Sequence, residues 1–163
     1  MRQQDYMMSW VSLVHAGTWL PAQLSQYLED RLGISLPEQD LLSQLSKVGG
    51  EIRMTELADR LFLSKAGVTR MVDRLERREL IARVPTTDDR RAMSAKLTRK
   101  GINTLKKSRL LLKSWIEENF AAHLNAKDVK DLGRALQHLL EGLGRWDGQM
   151  AHLGRRDREP GKV

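Results

Sequence analysis

Apolar residues recur along this chain at helical spacing almost throughout, and the places where the spacing changes mark its centre. Tyr6, Trp10, Leu13, Gly17, Leu20, Leu24 and Tyr27 step alternately by four and three, the seam of a helix that packs along another helix. A helix over residues 5–32 is predicted. Pro21 lies inside it. Proline removes one ladder bond and clashes with the preceding turn, so a kink or break is expected near Gly17–Leu20. Gly33 supplies a stop. Leu36-Pro37-Glu38-Gln39 opens a second helix with proline in its first turn. Its apolar face is Leu41, Leu42, Leu45 and Val48, and Gly49-Gly50 ends it.

The pattern then shortens. Ile52-Arg53-Met54 reads as a brief extended segment, and Thr55 is placed to cap a helix carrying Glu56, Leu57, Ala58 and Leu61. Leu63-Ser64 turns into SKAGVTRMVDRLERR, Ser64–Arg78. Ser64 is a good N-cap, because its hydroxyl can accept a bond from an orphan amide of the first turn. Val68, Met71, Val72 and Leu75 fall on one buried face, while Lys65, Thr69, Arg70, Arg74 and Arg77 fall largely off it. Two short helices joined by a brief turn, the second basic, make a helix-turn-helix. Leu80–Val84 and Met93–Leu97 have β character around the turn-rich PTTDDRR at Pro85–Arg91, which adds a β-hairpin wing. Thr98 caps a long helix running to about His123, with Leu105, Leu112, Trp115 and Ile116 among its apolar positions. Asn125 starts a last helix, where Leu132, Leu136, Leu139, Leu143 and Trp146 again step by four and three.

The fold class that follows is mainly α with a small β-hairpin wing. Residues 1–35 form an N-terminal dimerisation helix. Residues 36–98 form the winged helix-turn-helix lobe, with its recognition helix at about 64–78 and its wing at about 80–97. Residues 99–147 form C-terminal dimerisation helices, and the Gly/Arg-rich tail 148–163 is expected to be disordered. The terminal seams could pack within one chain. Dimerisation is favoured, because a small domain rarely needs two such seams for its own core.

Charge sharpens this picture. The net charge is +7, and residues 60–107 alone hold 14 Lys/Arg against 5 Asp/Glu, so the remainder is slightly acidic. Positive charge concentrated on one subregion is the footprint of a nucleic-acid site, since releasing counterions from phosphates drives association. A membrane surface would also attract it, but the apolar residues here are spaced for a core rather than for an interfacial helix. There is no cysteine, which removes disulfides, thiolate metal sites and thiol redox sensing. No run of 18 apolar residues occurs, and MRQQDYMMSW lacks the order of a signal peptide, so a cytoplasmic protein is expected. No Ser/His/Asp set, glycine-rich phosphate loop or HExxH helix appears, so an enzyme is not expected. His15, His123, His138 and His152 form no i,i+4 pair, and no metal or cofactor is expected.

The order of elements resembles the MarR family of bacterial transcription regulators. DDRRAMSAKLTRKG, Asp88–Gly101, is similar to that family's wing signature: an acid before Arg-Arg, a strand, then Leu-Thr-x-x-Gly opening the next helix. MTELADRLFLSKAGVTRMVDRLERRELIAR, Met54–Arg83, is similar to its helix-turn-helix. The chain departs from the pattern at Glu79, where the family has a glycine that relieves a left-handed C-cap. A positive φ there should cost Glu79 roughly 1 kcal/mol.

The resemblance implies a homodimer on a pseudo-palindromic operator of double-stranded DNA, acting as a repressor, with half-sites about one helical turn apart. It implies base-edge or near-base contacts for Lys65, Gly67, Thr69 and Arg70, and phosphate contacts for Thr55, Ser64 and Arg74. Arg90 would enter the minor groove, with Asp88 or Asp89 orienting Arg91 through a carboxylate–guanidinium pair. It also implies release by a small anionic or aromatic effector, with Trp10, His15, Trp19 and Leu41 as candidate pocket residues. For the two tryptophans, core or dimer packing is the stronger reading. Two other classes stay open: a non-specific architectural DNA-binding protein, and a winged-helix adaptor without an effector.

Overall fold

The computed structural model describes residues 3–61, 63–86 and 92–144. The order is α1 (Gln3–Leu32), α2 (Leu36–Lys47), β1 (Glu51–Arg53), α3 (Met54–Leu61), α4 (Lys65–Arg77), β2 (Ile81–Pro85), β3 (Met93–Leu97), α5 (Arg99–Asn119), a 3-10 turn at Ala121–His123, and α6 (Ala126–Gly142). The three strands form one antiparallel sheet in the order β1-β3-β2. Arg83 of β2 sits opposite Ala95 of β3, and Ile52 of β1 opposite the same Ala95 from the other side. The predicted mainly helical fold with a hairpin wing is what the chain adopts.

Of the kink or break expected near Gly17–Leu20, the break does not occur, and α1 runs through Pro21 as one helix. Proline leaves a single acceptor, the Gly17 carbonyl, without its ladder donor. Gly17 is exposed, so solvent can satisfy that carbonyl at little cost. A second difference lies at α3, which begins at Met54 directly after β1. Thr55 therefore stands in the first turn rather than at the cap. A third lies at the end of α5, where the α-helix stops at Asn119 and only a 3-10 turn reaches His123.

Elsewhere local chemistry decides the ends. Gly33 (φ 65°) closes α1, its amide donating to the Glu29 carbonyl at 2.8 Å. Ser35 and Glu38 form a reciprocal capping box at the start of α2. Asn125 and Asp128 do the same for α6. Thr98 caps α5 by accepting the Gly101 amide at 3.0 Å.

The end of α4 is a Schellman turn built on a non-glycine residue. The Leu80 amide donates to the Leu75 carbonyl at 2.9 Å and the Glu79 amide to the Glu76 carbonyl at 2.8 Å. Glu79 has φ 60°, the left-handed conformation in which Cβ crowds the following carbonyl. Its carboxylate pairs with Lys100 at 3.1 Å, but both side chains are mostly exposed, so that pair offsets little. Glu79→Gly is expected to raise stability by about 1 kcal/mol, read as a melting temperature about 2–4 °C higher. A lower melting temperature would show that the Lys100 pair outweighs the backbone strain.

Two compact units divide within α5, residues 1–115 and 116–163. In the first, the main core joins Ile34, Leu41, Leu42 and Leu45 to Leu57, Val68, Val72, Leu75, Leu80, Ile81, Ala95 and Leu105. A smaller cluster sets Leu24 and Leu28 of α1 against Trp115 of α5. Only the C-terminal half of the α1 seam is used this way. Tyr6 and Trp10, in the other half, are exposed, as is Val14 beside the seam. In the second unit no residue of α6 is buried, and Val129, Leu132, Leu139 and Leu143 stand exposed. Trp146 and the tail 148–163 lie outside the described residues.

The approach of α5 to the turn after α4 is unusually close. A Cβ placed on Gly101 would lie 2.1 Å from the Leu80 carbonyl oxygen and 3.2 Å from Leu97 Cδ2. The same Leu80 carbonyl accepts the Thr98 amide and hydroxyl, each at 3.2 Å, and the Thr98 hydroxyl also reaches the Glu79 carbonyl at 2.6 Å. Glycine is thus what lets the Leu-Thr-x-x-Gly segment seat α5 against the base of the wing.

Candidate nucleic-acid interface

The recognition element α4 is mounted by its apolar back. Val68, Met71, Val72 and Leu75 are all buried, as their spacing predicts, and they belong to the main core. A helix held this way presents its opposite side to solvent at a fixed angle. Lys65, Ala66, Thr69 and Arg70 are exposed at its N-terminal half. Lys65 and Arg70 make no ion pair among the described residues, so their charge is available to a polyanion.

The predicted residues among those described have definite places. Ser64 is the N-cap, its hydroxyl accepting the Gly67 amide at 3.1 Å. Gly67 is half-buried, and a Cβ there would crowd that capping hydroxyl at 3.3 Å. Its lack of a side chain therefore serves the cap as well as any approach of DNA. Thr69 donates its hydroxyl to the Lys65 carbonyl at 2.8 Å, which leaves the oxygen's lone pairs outward. Thr55 is exposed in the first turn of α3. Asp88, Asp89, Arg90 and Arg91 lie outside the described residues.

Arg74 is placed differently from its neighbours. Its Nε donates to Glu38 Oε1 at 2.9 Å, with the arginine side chain 51% exposed and the glutamate 7%. The other Glu38 oxygen accepts the Ser35 amide at 3.0 Å. One turn further along α4, the Arg78 guanidinium donates to the Leu32 carbonyl at 2.9 Å and to the Gly33 carbonyl. One flank of α4 is thus tied to the end of α1 and the start of α2. A cleft of about 480 Å³ opens there, lined by Glu29, Gly33, Ser35, Glu38, Arg74 and Arg78.

The opposite flank is tied by Arg83 of β2. Its Nη2 lies 2.5 Å from Asp73 Oδ1, its Nη1 donates to Glu76 Oε2 at 2.7 Å, and its amide donates to Glu76 Oε1 at 3.1 Å. Neither flanking network was predicted from sequence. The Ser-x-x-Glu spacing of the Ser35–Glu38 box was legible, but the long-range arginine partners carried no local signal.

The proposed pocket residues do not line that cleft. Trp10, His15 and Trp19 stand exposed on α1, the tryptophans at 61% and 59%, whereas Leu41 is fully buried in the core. Among the described residues no helix is long and apolar enough to cross a membrane.

Comparison with known proteins agrees with this geometry. The MarR family profile matches residues 32–92, from the end of α1 to the wing. The chain is 33% identical over 103 residues to the HTH-type transcriptional repressor MdtR of Bacillus subtilis, an alignment spanning 62% of this chain and 65% of that relative. Among solved structures it is similar to AbsC, a MarR family transcriptional regulator from Streptomyces coelicolor, at 26% identity and a TM-score of 0.76, covering 88% of this chain and 96% of that one. It is also similar to Sco3205, a MarR family transcriptional regulator of the same organism solved in complex with DNA, at 25% identity and a TM-score of 0.78, covering 88% and 90%.

Proposed function

The chain belongs to the MarR family, and on that premise we propose that it is a sequence-specific DNA-binding repressor that acts as a homodimer on a pseudo-palindromic operator. The observation that carries this reading is the N-terminal half of α4, where Lys65, Thr69 and Arg70 are exposed on a helix fixed from behind by four buried side chains. Lys65, Gly67, Thr69 and Arg70 take the bases. Thr55 and Ser64 take phosphates, whose role is to set register rather than sequence. In the wing Arg90 takes the flanking minor groove, and Asp88 or Asp89 orients Arg91 through a carboxylate–guanidinium pair. Arg74 is held by Glu38, so any phosphate contact it makes is shared with that carboxylate.

The homodimer reading rests on apolar side chains that stand exposed among the described residues of each unit. In the first unit Tyr6, Met7, Trp10 and Val14 are exposed along α1, and in the second Leu132, Leu139 and Leu143 along α6. Exposed apolar stripes of this kind mark association surfaces. An architectural protein would share the basic helix but would bind with little sequence preference. Release by a small ligand is part of the same proposal. The cleft at Glu38, Arg74 and Arg78 touches α4 without covering its exposed side.

Selection from a random duplex library with the full chain tests the reading. One motif with two-fold symmetry and half-sites about 10 base pairs apart is expected. A featureless pool would replace the repressor with the architectural reading. Sedimentation of the same sample should give a dimer, and Trp10→Glu should shift it toward monomer and weaken operator binding.

A further inference from the structure

We infer that Arg83 is a positioning residue for DNA recognition. It locks the wing hairpin to the wing-side flank of the recognition helix, so that the two DNA-contacting elements present one rigid surface. This rests on the DNA-binding reading above and adds a residue that need not touch DNA itself.

The stripe that Arg83 grips is regular. Thr69, Asp73 and Glu76 step by four and three along α4, one line on the helix surface. It runs beside the buried line of Val68, Val72 and Leu75. Arg83 lies two residues after the buried Ile81 on β2, so both side chains leave the strand on the same face. Ile81 enters the core beneath α4 and Arg83 reaches along its flank.

A guanidinium suits this task because its planar fork can hold several acceptors at fixed angles. Arg83 meets Asp73 at 2.5 Å and Glu76 at 2.7 Å, and its Nη2 also donates to the Thr69 carbonyl at 3.4 Å. The Arg83 amide takes the second Glu76 oxygen at 3.1 Å. Backbone and side chain of one wing residue are therefore fastened to the helix at several points. Thr69 stands on the exposed, DNA-facing half of α4, so the clamp extends to the part of the helix where position matters most.

Charge neutralisation is the rival account of the arrangement. Asp73 and Glu76 are acids on a helix proposed to meet phosphates, where they repel DNA unless neutralised. Arg83, with 23% of its side chain exposed, faces both of them. Geometry predicts weaker binding for both of two variants, whereas neutralisation predicts effects of opposite sign, which separates them.

Arg83→Gln removes one positive charge from the surface. Asp73→Asn combined with Glu76→Gln removes two negative charges and leaves Arg83 without its carboxylates. Both break the clamp. Hydroxyl-radical footprinting on the selected duplex, with the full-length dimer, reads the wing through the flanking minor groove and α4 through the half-sites. If Arg83 positions the wing, both variants need about tenfold more protein to protect the flanks than the wild type, and lose less at the half-sites. Arg83→Lys, which reaches one carboxylate at a time, should fall between.

Opposite effects, with Arg83→Gln weaker and the double variant tighter everywhere, would assign Arg83 to neutralisation and overturn the inference. Unchanged flank protection in both would overturn it as well. Should Arg83→Gln fail to fold, as judged by its melting curve, the double variant carries the same test from the helix side. A wild-type protein that protects no duplex would instead remove the DNA-binding reading itself.

Discussion

Gly101→Ala is expected to lower stability by about 3 kcal/mol, or roughly 10 °C in melting temperature, although it adds one methyl group to a helix that alanine favours. The reason is the 2.1 Å separation between the added Cβ and the Leu80 carbonyl oxygen. The obstacle is backbone, not the flexible end of a side chain, so α5 or the turn at Glu79–Leu80 must move. That turn also holds the Thr98 cap through the Glu79 and Leu80 carbonyls. Displacing it strips α5 of its first-turn anchor and tilts the base of β2. Gly133→Ala in α6 is the control. A Cβ there meets nothing within 4 Å, and the same substitution should gain up to about 1 kcal/mol from helix propensity. Thermal melts of the two variants should move in opposite directions. If Gly101→Ala melts with the wild type, the close seating of α5 on Leu80 is wrong.

Arg70→Ala is expected to leave the fold and the oligomeric state as they are, and to cut operator affinity by about ten- to hundredfold. Arg70 is exposed on α4 and makes no ion pair among the described residues, so truncating it breaks no ion pair among them. Preference among operator variants should relax at the position it reads. Arg74→Ala is the contrast. Arg74 is bound to the buried Glu38, and removing it leaves that carboxylate with its capping bond and the longer Arg78 pair at 4.0 Å, so the variant should lose stability before specificity. Fluorescence anisotropy with the selected duplex, repeated over a salt series, distinguishes the two. An Arg70→Ala protein that binds like the wild type would move the base-reading surface off this half of α4.

Much of the candidate site was legible because it is local. The cap at Ser64, the buried line Val68–Met71–Val72–Leu75 and the hairpin strands all follow from residues two to four apart. For Glu79 two outcomes were open, a left-handed residue in the place of the family's glycine or a different end to the helix, and the structure shows the first. The expected break at Pro21 was not observed. A proline costs a helix little when the carbonyl it orphans faces water, and exposure is not a local property. Thr55 missed the cap by two residues because β1 runs directly into α3.

Sequence by itself determined the order of elements, the capped ends and which side of α4 faces inward, since each depends on spacing within a turn or two of helix. Only the tertiary structure decided which of its charges are spoken for. Arg74 and Arg70 look alike along the chain, yet Arg74 meets Glu38 from 36 residues away while Arg70 does not. Gly101 looks like an ordinary first-turn glycine until the Leu80 carbonyl is brought against it. Both distinctions are made by segments that approach one another only after the core has closed.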